Sequence, residues 1–215
     1  AVGGGSDFIA RQIAQGISGP LGQPVIVENR GGIVTAETVI KAPPDGYTVS
    51  LSGTNLWITP LVQKTTYDVL RDFSAISLVA RQVNILAVHP SVPVKSVKEL
   101  IAFAKARPGQ LNYSSENPGS STRLGAELFK AMAGVNIVNV GYKGTAPALV
   151  DLLGGHIDMI FTSSGAIVSR ISAGELKMKA LGVSSRERSP QLPELPTIAE
   201  QGFPGYEYFT WTGIF

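Results

Sequence analysis

The sequence predicts an α/β protein whose sheets are mainly parallel and flanked by helices. Three observations carry that expectation. Short apolar runs bounded by Gly and Pro alternate with amphipathic segments of helical length. Several of those segments carry recognisable start and stop residues. Glycine collects with Ser and Thr between the apolar runs and the segments that follow them.

Taken in order, Val25–Glu28 follows Pro24 and reads as a strand, as does the β-rich stretch 47–52. Asn84–His89 is closed by Pro90, and strands are expected at 111–113, 137–140, 157–161 and 180–183. Short apolar runs of this kind suit buried parallel strands. Among the helices, Ser96 and Glu99 form a capping box ahead of Leu100, Ile101 and Ala104, and Pro108-Gly109 ends that helix. Segment 122–133 places Leu124, Leu128, Phe129 and Met132 on one stripe, with Gly134 as its left-handed stop. Thr145 is expected to cap a helix with Pro147 in its first turn and Leu149, Leu152 and Leu153 inward. Segment 165–173 and the turn 197–200 complete the set, while 186–196, with three prolines, reads as an irregular connection.

Composition narrows the class. The 215 residues hold no Cys, which excludes disulfide scaffolds and thiolate metal sites. A net charge of +2 leaves no basic footprint for nucleic acid, and no apolar run approaches the 18 residues of a membrane-spanning helix. Charged residues are only 16% of the chain, against 24 Gly and 14 Pro. The chain is long enough to bury a core without staples.

The glycines have a pattern. Gly3-Gly4-Gly5-Ser6-Asp7, Ser52-Gly53-Thr54-Asn55, 114–122, 141–145 and 162–165 each open a helix. In a parallel α/β sheet such loops lie at the carboxyl edge of the strands. Each presents backbone amides and hydroxyls at a positive helix N-terminus, so several together hold an anion without Lys or Arg. Enzymatic chemistry is poorly supplied. Neither His89 nor His156 has a metal-spaced partner, and no nucleophile elbow or P-loop occurs. Asp158 reads as a fold residue. Asp7 either caps its helix or meets a ligand, Arg123 is either solvated or an anion clamp, and Trp57 is either buried or a stacking platform.

In order along the chain, Gly3 to Asp7, Pro24 to Arg30, Lys41 to Tyr47, Asp72-Phe73, Val88 to Pro90, Pro108 to Tyr113, Gly119 to Thr122, Tyr142 to Gly144, Asp151 to Gly155 and Leu195 to Thr197 resemble the Bug family. These are bacterial periplasmic solute receptors of tripartite tricarboxylate transporters. The resemblance implies a two-lobed, Venus-flytrap binding-protein fold, with lobe one at about 1–85 plus 210–215 and lobe two at 86–209. It implies a monomer without cofactor that captures a small carboxylate in the interlobe cleft and delivers it to membrane permease subunits. A ligand-dependent partnership with a sensor kinase is the alternative, and an enzyme using the same loops is a third reading.

Carried over by position, the expected ligand contacts are Gly4, Gly5 and Asp7, then Ser52, Gly53, Thr54 and Asn55. In the other lobe they are Ser115, Asn117, Gly119, Ser120, Ser121 and Thr122, with Gly144 and Thr145. Specificity is expected from Trp57, Glu116, Arg123, Thr162 and Ser163. The family strand after Asp158 often continues with Asp-Asn, where this chain has Thr162-Ser163-Ser164. The loop after Asn29-Arg30 is shorter than the family's. Measured against the family, the chain reads as truncated at both ends, so a missing leader is no argument against export to the periplasm.

Overall fold

The computed structural model describes residues 5–116, 119–165, 167 and 177–215. The chain divides into two compact units: Ala1–Arg81 with Trp211–Phe215, and Gln82–Thr210. Two strands, β2 (Ser77–Val88) and β7 (Phe209–Ile214), each run from one unit into the other.

In the first unit, α1 (Gly5–Leu21), α2 (Ile33–Ile40), α3 (Thr54–Val62) and α4 (Val69–Asp72) accompany β1 (Leu51–Gly53). The β1 strand pairs antiparallel with β7, with Leu51 opposite Ile214 and Gly53 opposite Thr212. Gly53 is required by that pairing, because a Cβ there would lie 2.6 Å from the Trp211 carbonyl oxygen. The core of this unit is small. Ala36, Leu56 and Tyr67 are buried, with Trp57, Phe73 and Phe215 packed against them. The Tyr67 hydroxyl donates to the Leu56 carbonyl at 3.1 Å.

Two expected strands change here. Val25–Glu28 joins no ladder among the described residues; the Val25 amide donates to Ser18 Oγ at 3.0 Å, and Ile26 is exposed. An apolar run becomes a strand only when a neighbour takes up its backbone groups. The 47–52 stretch yields only Leu51–Gly53, and Tyr47 is fully outside the core at 92% exposure.

The second unit holds α5 (Val97–Ala106), β3 (Asn112–Ser115), α6 (Ser121–Ala133), β4 (Val138–Gly141), α7 (Thr145–Leu153), β5 (Met159–Ser163) and β6 (Lys179–Val183). Its strands lie in the order β6-β2-β5-β3-β4. β3 runs parallel to β4 and β5, while β2 runs antiparallel to β5 and β6. The sheet is therefore mixed rather than mainly parallel. The helical crossovers α6 and α7 make β3, β4 and β5 parallel, whereas β2 enters from the first unit in the opposite sense.

Alternation along β2 and β5 divides the core between two faces. Leu86, Val88, Met159 and Phe161 face α5 and α6, where Leu100, Ala104 and Phe129 are fully buried. Ile85, Ala87 and Ile160 face α7, against Ala148, Leu149 and Leu152. Full burial of a side chain such as Phe129 contributes about 1.5–3 kcal/mol.

The inward stripe of α6 differs from the expected one. Gly125, Ala126, Phe129 and Ala133 are buried, whereas Leu128 and Met132 are 37% and 40% exposed. Small residues let the helix sit close to its neighbours, and the Tyr208 ring occupies the space that a Cβ at Gly125 would fill. On α7, Leu149 and Leu152 turn inward but Leu153 lies at the surface. Gly134 ends α6 in the left-handed conformation (φ 62°), its amide bonded to the Lys130 carbonyl. Ser96 Oγ caps α5 by accepting from the Glu99 amide at 3.2 Å. The Glu99 carboxylate accepts from the Lys95 amide at 2.7 Å, one residue earlier than a capping box requires. The helix expected over 165–173 lies largely outside the described residues.

Candidate functional site

Parallel pairing carries the ends of three strands to one edge of the second unit. Ser115 stands opposite Gly141, and Ser114 opposite Ile160, so β3, β4 and β5 finish side by side. Helices α6 and α7 begin immediately beyond β3 and β4. The first-turn amides of a helix have no intrahelical acceptor, so two N-termini at one sheet edge present unmet donors and positive dipole ends.

Each side chain at this edge has a definable anchor. Ser120, buried, caps α6 by accepting from the Arg123 amide at 3.3 Å, and the Thr122 hydroxyl donates to Ser120 Oγ at 3.3 Å. Ser121 Oγ lies 2.7 Å from Thr210 Oγ1, which also bonds the fully buried Asn84 amide group. Ser115 Oγ accepts from Asn139 Nδ2 at 2.7 Å, and its carbonyl accepts from the Tyr142 amide at 2.8 Å. Thr145 is the first residue of α7 rather than its cap; Gly144, buried, holds the cap position without a side-chain bond. The freed Thr145 hydroxyl donates to Glu116 Oε1 at 3.0 Å. Thr162 is fully buried, and its hydroxyl has no partner among the described residues. Gly119 is buried at the start of this loop and Ser163 ends β5, half-buried.

Tyr142 pins the loop before α7. Its hydroxyl donates to Asp151 Oδ2 at 2.6 Å, and burial together with that carboxylate pushes its pKa up to about 12. On the α6 face, burial and Glu127 raise the Tyr113 phenol well above its usual range. Arg123 acts electrostatically on Tyr113 and Glu127 there.

The first unit holds a separate group of expected contacts. Asp7 is buried inside the first turn of α1 rather than at its cap. Its Oδ1 accepts from Asn29 Nδ2 at 2.9 Å and from Arg11 Nε at 3.1 Å, tying the helix to the loop after Glu28. Gly5 is the first described residue of α1, and Gly4 and Asn117 lie outside the described residues. Ser52 Oγ is buried 2.7 Å from Ser50 Oγ. Thr54 Oγ1 and Trp57 Nε1, three residues apart at the start of α3, are buried without partners among the described residues. The Trp57 ring packs 5.9 Å from Trp211 and 5.8 Å from Phe215. Asn55 stands between Thr54 and Leu56 in the first turn.

Sequence reasoning passed over Asn84, Asn139 and Thr210, which orient the hydroxyls of Ser115 and Ser121. Asn84 left a readable signal as a polar residue opening an apolar run; nothing local marks the other two. Asp158 is structural: its Oδ2 accepts from the Asn112 amide at 2.8 Å. His89 bonds Ser91 Oγ through Nδ1 at 2.7 Å. Among the described residues no cluster of three His, Asp or Glu side chains could hold a metal.

Residues 9–215 match the family model described as the tripartite tricarboxylate transporter family receptor. The chain belongs to that receptor family. It is 35% identical over 218 residues to the protein BugT of Bordetella pertussis, covering 99% of this chain and 66% of BugT. The R. palustris protein Rpa4515, solved with adipate, is 39% identical with a TM-score of 0.94; the match covers 100% of this chain and 73% of that one. MatC of Rhodopseudomonas palustris, solved with bound malate, is 29% identical with a TM-score of 0.91, over 100% and 74% of the two chains. The chain thus has the two-lobed α/β periplasmic-binding-protein fold, with mixed sheets flanked by helices. Its family is one of solute receptors, not enzymes. The chain spans just under two thirds of the length of curated relatives such as BugT.

Proposed function

We propose that this chain is the ligand-binding part of a periplasmic solute receptor that captures a small carboxylate for a tripartite tricarboxylate transporter. One observation carries the reading: the N-termini of α6 and α7, with the hydroxyls of Ser120, Ser121 and Thr145, gather at the carboxyl edge of β3, β4 and β5. The chemistry is that of an anion site built from backbone and hydroxyl donors. The relatives seen with adipate and malate supply the ligand class. Each hydrogen bond to a charged group contributes roughly 1.5–3 kcal/mol. Three or four hold one carboxylate at about micromolar affinity once the costs of association are met.

Closure on the ligand follows only from differential affinity between open and closed states. The membrane components of the transporter are the proposed recipients. A sensor kinase would read the same liganded state, and a pull-down of membrane partners with and without ligand assigns one role or the other.

Thermal shift of the full-length receptor against mono- and dicarboxylates, amino acids and aromatic acids tests the reading. A rise in Tm with at least one carboxylate is expected. Replacing Ser120 and Ser121 together by Ala is expected to weaken that ligand about tenfold or more while the protein stays folded. Silence across the whole panel overturns the carboxylate reading, and unchanged affinity in the double variant removes these hydroxyls from the site.

A further inference from the structure

The proposed carboxylate site contains one group that opposes its own ligand. Glu116 directly follows β3, at the edge where α6 and α7 begin. It is half-buried, and its Oε1 accepts from the hydroxyl of Thr145, the first residue of α7, at 3.0 Å. That bond holds a carboxylate beside helix amides that would otherwise attract one.

Among the described residues Glu116 has no cationic partner. None of the ion pairs among the described residues involves it. Arg123, in the first turn of α6, acts electrostatically on Tyr113 and Glu127. Among the described residues the only side-chain donor to the Glu116 carboxylate is Thr145, while the Ser115 hydroxyl donates to the Glu116 backbone carbonyl at 3.4 Å, so one carboxylate oxygen keeps its acceptor capacity there. On the neighbouring strand, the fully buried Thr162 hydroxyl near the end of β5 also has no partner among the described residues.

A fixed negative charge in a half-buried setting repels a second carboxylate and attracts an ammonium group. We propose that Glu116 is a specificity residue, selecting ligands that carry a carboxylate at one end and an ammonium at the other over dicarboxylates of the same length. The helix termini hold the carboxylate, and Glu116 receives the ammonium. Thr145 orients Glu116 through Oε1, and its second oxygen has no partner among the described residues. This rests on the carboxylate reading above and departs from the adipate and malate of the relatives.

Calorimetric titration of the full-length receptor with matched pairs tests it: succinate against γ-aminobutyrate, and adipate against ε-aminocaproate. The wild type is expected to favour the amino-ended member of at least one pair by about tenfold. Glu116→Gln, which keeps shape and removes charge, is expected to erase that preference by tightening the dicarboxylate and weakening the amino acid. Glu116→Ala, checked for an unchanged circular dichroism spectrum, gives the same direction without the amide. Dicarboxylates bound as tightly as their amino partners by the wild type, with the ratio unmoved in Glu116→Gln, overturn the role of Glu116 and leave the carboxylate reading standing. Silence of every probe on all three proteins, with silence of the wider panel, removes both.

Discussion

Asn112 and Asp158 hold each other at the amino-terminal ends of two parallel strands. The Asn112 amide donates to Asp158 Oδ2 at 2.8 Å, and the Asp158 amide donates to Asn112 Oδ1 at 3.0 Å. The exchange sets the register of β3 against β5, in which Tyr113 faces Met159. That register in turn decides that Ser115 and Thr162 end at the same edge.

Asp158→Ala removes the acceptor for the Asn112 amide. A hydrogen bond to a charged group is worth about 1.5–3 kcal/mol, so a loss of about 1–2 kcal/mol is expected at this partly buried position. Urea unfolding measures it. A change too small to resolve in the midpoint would make the exchange incidental to the register.

Gly125→Ala is expected to be among the most damaging small substitutions. The new Cβ would meet the Tyr208 ring, which is packed against Phe161 and Tyr206 and is not the free end of a flexible chain. Overpacking of this kind costs about 1–3 kcal/mol. Adding Tyr208→Ala to the same chain should relieve the clash, so the double variant is expected to lose less than the sum of the two single changes. Strict additivity in chemical denaturation would show that the ring moves aside freely.

Thr54→Val separates stability from binding. The Thr54 hydroxyl is buried without a partner among the described residues, so exchanging it for a methyl is expected to leave stability unchanged or slightly higher. If a ligand oxygen supplies the missing partner, affinity for the best carboxylate falls about tenfold. Equal affinity in the two proteins assigns the hydroxyl no part in binding.

Glu200 gives the chain an acid-sensitive turn. Its Oε2 accepts from the Thr197 amide at 2.8 Å, Thr197 Oγ1 accepts from the Glu200 amide at 2.9 Å, and Arg188 adds an ion pair at 3.0 Å. The backbone bond from Thr197, then Arg188, hold the Glu200 carboxyl below its usual value. A depressed folded pKa contributes stability above the unfolded value of about 4.3 and loses it as pH falls through the lower folded value. Denaturation midpoints of Glu200→Gln are expected to fall less steeply than those of the wild type below about pH 4.5. Parallel curves for the two proteins would assign the acid loss to other carboxylates.

The sequence by itself determined the elements whose signals are local. Pro108-Gly109 and Gly134 stop helices by backbone geometry that needs no partner, and Ser96 caps α5 through an amide three residues away. The small-residue loops at 114–122 and 141–145 were legible as helix openings, and the run of family-like motifs pointed to the receptor fold. Tertiary structure decided what depends on partners far along the chain. Val25–Glu28 had the composition of a strand but no ladder to join among the described residues. The stripe of α6 shifted to Gly125, Ala126 and Ala133 because close approach beneath Tyr208 outweighed the hydrophobicity of Leu128 and Met132. Asp7, read from the sequence as a cap or a ligand contact, tethers α1 to Asn29, which lies within reach only in the folded chain. Glu116, expected from the sequence to bear on specificity, met Thr145 across 29 residues of sequence, a partner that only the fold supplies. Backbone preferences act within a few residues and can be read from composition, whereas burial, register and the pairing of charges are settled by which distant segments the fold brings together.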